Sequence, residues 1–130
     1  MACPYFDPSA PVSWEEWPNP PRMPLGDPHS GVCRASGAEL PAIQVRTCCN
    51  TGYARGCCGS FPGGDVPDAV RFGIVERKGG TARIQYVMER DHHPYSHGSL
   101  ELREDGAGEP EPILTRQARA YLDSYLRRNR

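Results

Sequence analysis

Between Ala69 and Glu76 the chain alternates, with Val70, Phe72 and Ile74 on one side and Arg71 and Gly73 on the other. The run Thr81–Glu89 repeats the pattern, setting Ile84, Tyr86 and Met88 against Arg83, Gln85 and Glu89. A period of two marks strands with one buried face. Between the runs, Arg77-Lys78-Gly79-Gly80 supplies a turn. The pair predicts a β-hairpin, and Ser99–Arg103 is expected to extend it as a third short strand. After an acidic Gly/Pro connector at Glu104–Pro112 the period changes. Leu114, Ala118, Tyr121, Leu122, Tyr125 and Leu126 recur at helical spacing, and Arg116, Arg119, Asp123 and Arg127 lie off that stripe. This predicts an amphipathic helix over Ile113–Arg128.

The N-terminal half shows no such period. Residues 1–32 hold eight of the 14 prolines. Proline fixes φ and restricts the residue before it, so regular helix is expected only as a turn around Ser13–Trp17. Tyr5, Phe6, Trp14, Trp17, Met23 and Leu25 give this arm large side chains to bury, so it is expected to wrap over a body. Trp14 and Trp17 are expected to cover a metal site or the hairpin's apolar face. Farther on, Ala42–Thr47 alternates well enough for a short strand leading into Cys48.

The chain therefore reads as a single domain, 1–130. It comprises a Pro-rich wrapping arm (1–32), a cysteine loop region (33–62), a β meander (69–103) and a C-terminal helix (113–128). The expected fold class is a small α+β domain. It combines an antiparallel hairpin or three-strand meander, one C-terminal helix, and a long irregular Pro/Gly-rich N-terminal half stapled by a metal.

Composition sharpens the need for that staple. Only 38% of the 130 residues are hydrophobic, and Gly and Pro number 14 each. So small an apolar content favours a covalent or metal cross-link. The formal net charge of −1 gives no whole-molecule field to attract nucleic acid or a membrane. No stretch has the length of a membrane-spanning helix. The opening Met1–Asp7 lacks a basic n-region and an apolar h-region. The expectation is a cytoplasmic protein, in which clustered thiols are metal ligands more often than disulfides.

Four of the six cysteines fall within Cys48–Cys58 as two doublets, separated by a loop carrying Asn50, Gly52 and Gly56. Cys3 and Cys33 lie upstream. Thiolates bind soft or borderline metals and need turns that aim several sulfurs at one point. One cysteine from each doublet joins the upstream pair to give Cys3, Cys33, Cys49 and Cys58. Cys49 precedes the Asn50-Thr51-Gly52 turn and Cys58 precedes Gly59. Cys48 and Cys57 preserve the same interval and remain alternatives.

Four thiolates complete either a zinc site or an iron–sulfur cluster. The chain has no tight C-x2-C or C-x4-C knuckle of the zinc type. Four separated ligands drawn from loops resemble, in style and without a matched motif, the [4Fe–4S] staples of some DNA-processing enzymes. The leading expectation is an iron–sulfur protein with a [4Fe–4S] cluster, acting as an electron carrier or as a small subunit of a larger assembly. Its expected partner is another protein subunit or a redox protein. The alternative is a zinc- or disulfide-stapled interaction module, since six cysteines can also pair.

A third reading, a thiol or metal-dependent enzyme, draws on a loop carrying His92, His93 and His97. His93 and His97 have ligand-like spacing near Glu89 and Asp91, and a Cys58–His93 pair would provide a nucleophile and base. Pro94 interrupts any helix that would align them, and a polar loop between strands is the expectation. The arginines Arg116, Arg119, Arg127, Arg128 and Arg130 are expected to form a solvated helix face.

Overall fold

The structure is a computed structural model that describes residues 2–11, 25, 29–34, 38–39, 49–50, 66–106 and 112–128. Its elements are β1 (Phe6–Pro11), β2 (His29–Cys33), β3 (Ala38–Glu39), β4 (Ala69–Lys78), β5 (Thr81–Arg90), β6 (His93–Arg103) and α1 (Ile113–Arg128). They form two antiparallel three-stranded sheets, ordered β1-β2-β3 and β4-β5-β6, with a C-terminal helix. This is a small α+β fold. The expected strand at Ala42–Thr47, the turn at Ser13–Trp17 and both tryptophans lie outside the described residues.

The second sheet follows from the alternation. Val70 sits opposite Met88, Phe72 opposite Tyr86 and Ile74 opposite Ile84, so the apolar positions share one face. Gly79 and Gly80 both have positive φ (61° and 80°). Two consecutive left-handed residues make the tight turn whose twist matches a hairpin. Strand β6 carries the same alternation outward: Leu100 and Leu102 are half-buried, while Ser99, Glu101 and Arg103 are exposed.

That strand is longer than the expected Ser99–Arg103, because the histidine segment is strand and not loop. Asp91 and His92 form a two-residue turn with φ of 50° and 65°, and His93–Gly98 then pairs back along β5. Pro94 is tolerated because β6 is an edge strand and its register shifts at the pairing with Glu89.

The apolar face receives α1. Ala82 and Ile84 from the sheet and Ala118 and Leu122 from the helix are fully buried together, flanked by Phe72, Ile74, Leu100, Leu102, Tyr121 and Leu126. Burying an Ile or Leu side chain contributes roughly 1.5–3 kcal/mol. A second cluster adjoins it: Ala2, Cys3, Phe6, Leu25, Cys49 and Val70, with Phe72 and Leu114 packed against it. Phe72 thus touches both clusters.

The N-terminal half departs from the irregular arm expected from its prolines. Strands β1 and β2 pair from Phe6↔Cys33 to Pro11↔His29, with a register shift between Pro8 and Ala10. Proline cannot donate to a ladder, so it belongs on an edge or at a bulge. Strand β1 is an edge and carries both Pro8 and Pro11 there. Gly31 permits the pairing, since a Cβ at that position would collide with the Asp7 carbonyl oxygen and the Phe6 ring. Upstream of β1, Ala2 bridges the outer side of β4: its N–H donates to the Val70 carbonyl at 2.8 Å, and the Val70 N–H returns the bond at 2.8 Å.

Candidate functional site

The sequence singles out Cys3, Cys33, Cys49 and Cys58. Cys3, Cys33 and Cys49 are buried, and none of them is in a disulfide. Cys58 lies outside the described residues, as do Cys48 and Cys57.

Short main-chain links join the three described cysteines. The Cys3 N–H donates to the Cys49 carbonyl at 3.0 Å. The Cys3 carbonyl in turn accepts the Phe6 N–H at 3.1 Å, closing a turn over Pro4 and Tyr5. Phe6 then faces Cys33 across the ladder, and the Arg34 N–H donates to the Tyr5 carbonyl at 2.9 Å. Cys3 and Cys33, far apart in sequence, are thereby brought to the Phe6–Cys33 end of the first sheet. Among the described residues, no set of three or more His, Cys, Asp or Glu side chains gathers closely enough to hold a metal ion. Cys3, Cys33 and Cys49 are therefore linked through the main chain and do not by themselves form a metal-holding group, and the fourth expected ligand, Cys58, lies outside the described residues.

Asn50 has a role the sequence does not announce. Its fully buried amide accepts the His29 N–H at 3.1 Å and donates to the His29 carbonyl at 2.9 Å. The side chain thus imitates a neighbouring strand and docks the Cys49–Asn50 segment onto the start of β2. Asn is one of the few side chains that carry both a donor and an acceptor at that spacing.

The helix supplies the other supports. Gln117, fully buried, donates from Nε2 to the carbonyls of Cys3 and Phe6, each at 2.7 Å. Its neighbour Arg116 donates from Nε to Asp7 Oδ1 at 2.8 Å, and Arg34 donates from Nε to Asp7 Oδ2 at 2.8 Å. Asp7 is thus a buried carboxylate shared by two guanidinium groups, one beside Gln117 and one beside Cys33. Bonds between charged groups are shorter and stronger than neutral ones.

Of the arginines expected on a solvated helix face, Arg127 is exposed, whereas Arg116 and Arg119 are partly buried. Arg116 and Arg119 are only 22% and 17% exposed, so they are not a solvated face. Arg116 grips Asp7, and the Arg119 Nη1 donates to the Arg103 carbonyl at 2.6 Å.

The histidines sit elsewhere. His92, His93 and His97 are exposed, and β6 is the third strand outward from Ala2 through the row Ala2, Val70, Met88, Ser96. Three inter-strand steps amount to about 14 Å, beyond ligand reach of the Cys3 segment. No helix among the described residues is long and apolar enough to cross a membrane. Comparison of the chain with protein-family models, with curated proteins and with solved structures finds no match to any of them.

Proposed function

We propose that this chain is a small iron–sulfur protein whose cluster is held by Cys3, Cys33, Cys49 and Cys58. It would serve as a cytoplasmic electron carrier or as a small subunit docked on a redox partner. The observation that carries this reading is the linkage of three buried cysteines, none in a disulfide, through the Cys3–Cys49 hydrogen bond and the Phe6–Cys33 pair. A [4Fe–4S] cluster supplies one-electron transfer when bound. The chain's own part is to bury Cys3 and Cys49 against Phe6, Leu25 and Val70 and so limit their contact with solvent.

Anaerobic reconstitution with iron and sulfide of six single Cys→Ser variants tests the ligand set. Cys3→Ser, Cys33→Ser, Cys49→Ser and Cys58→Ser should each lose bound iron, while Cys48→Ser and Cys57→Ser should retain it. Equal retention by all six would overturn the reading. A second reading, a structural zinc staple, is favoured by the lodging of Cys3 and Cys49 inside an apolar cluster. Colourless protein with bound zinc would select it.

A further inference from the structure

We propose that Gln117 is the positioning residue of the cysteine site, holding the Cys3 turn in the place that keeps it beside Cys49. This rests on the reading of Cys3 as a thiolate ligand. Gln117 follows Leu114 by three residues and precedes Tyr121 by four, so it lies on the apolar stripe of α1, where a hydrophobic side chain would be ordinary. It is fully buried there. An amide nitrogen carries two N–H donors, and both are engaged, by the carbonyls of Cys3 and Phe6 at 2.7 Å each. The reversed amide would set its oxygen against two carbonyl oxygens, so only a donor fits. The Gln117 Oε1 has no hydrogen-bond partner among the described residues. The side chain is therefore placed for its two donors.

The two carbonyls bound by Gln117 belong to the first and last residues of the turn that carries Cys3. The same turn donates to Cys49 from the Cys3 N–H and faces Cys33 through Phe6. Arg116, the preceding helix residue, reaches Asp7, whose other oxygen holds Arg34 beside Cys33. Consecutive residues of one helix thus reach toward Cys3 and Cys33. Docking of α1 and the placement of the Cys3 turn are coupled through that pair.

The test is competitive alkylation of the reduced, metal-free full-length protein, read cysteine by cysteine by peptide mass spectrometry. Gln117→Leu keeps the side chain buried and removes both donors. It should raise the alkylation rate at Cys3 at least roughly tenfold relative to Cys33, which corresponds to about 1.4 kcal/mol of lost local protection. Ser124→Ala, at another fully buried polar position of α1, should leave the ratio unchanged. If Gln117→Leu does not fold, Gln117→Asn, too short to reach both carbonyls, should give a smaller shift in the same direction. A uniform rise at every cysteine, or no rise in either Gln117 variant, would overturn the proposal. Because the assay uses no metal, it stands apart from the cluster reading. Wild-type protein that binds no iron or zinc would sink that reading and leave a Cys3-selective result intact.

Discussion

Cys3 and Cys49 are joined main chain to main chain, the N–H of one donating to the carbonyl of the other at 3.0 Å. The bond does not involve either sulfur. With the paired Ala2–Val70 bonds, it anchors the start of the chain, which would otherwise be expected to fray. Order of the Ala2–Cys3 segment therefore rests on the main chain and should not depend on the proposed metal. Cys3→Ser should lower metal content while the residue 3 amide stays protected in hydrogen exchange. Loss of that protection together with the metal would show that the sulfur, and not the main chain, holds the segment.

The helix and second sheet should set global stability. Leu122 is fully buried against Ala82 and Ile84, so Leu122→Ala should cost about 2–5 kcal/mol in urea unfolding. Phe72 is half-buried and tilts against Tyr121 at 6.0 Å. Phe72→Ala should therefore fall at the low end for an aromatic ring, about 3 kcal/mol. Val75 is 55% exposed, and Val75→Ala should change stability by no more than about 0.5 kcal/mol. Equal effects at Leu122 and Val75 would contradict the assigned core.

Asp7 joins β1 to α1 and to the end of β2. Asp7→Asn keeps the shape and removes the charge that Arg34 and Arg116 share, and should cost about 2–3 kcal/mol. In a double-mutant cycle, Asp7 should couple to Arg116, which is 22% exposed, more strongly than to Arg34, which is 51% exposed. A larger coupling to Arg34 would place the main tie within the first sheet.

A surface pair gives a pH signature. The Arg77 Nη2 donates to Glu104 Oε1 at 2.6 Å. This hydrogen bond, outweighing desolvation and aided by the Arg77 charge, holds the Glu104 carboxyl below the usual glutamate range. A depressed folded-state value contributes stability above the unfolded-state value, and the contribution is lost as pH falls through the folded one. Arg77→Ala should move the Glu104 titration, followed by NMR, up toward the ordinary range. An unmoved titration would mean that the pair is not formed in solution.

The hairpin and helix were legible because each buries one face, and a buried face leaves a period in the sequence. Val70, Phe72 and Ile74 had to share a side, and so did Ala118 and Leu122. The first sheet was hidden because Pro8 and Pro11 argue against a strand unless that strand is an edge with a bulge, and edge position is a tertiary fact. The histidine segment misled in the same way, since Pro94 sits on the edge strand β6. Of the supports around the cysteines, only Gln117 left a local trace, as a polar residue on an apolar stripe. Asp7 and Arg116 are separated by 109 positions, and nothing local to either announces the other. Asn50 resembled a turn residue because its partner, the main chain of His29, has no side-chain signature.

The most direct test of the central claim is the visible spectrum of anaerobically purified protein, taken with iron and sulfide counts per chain. A bound [4Fe–4S] cluster should give charge-transfer absorption that bleaches on reduction, with iron and sulfide equal at about four each. A colourless protein containing no iron, whether it carries zinc or no metal at all, would contradict that claim.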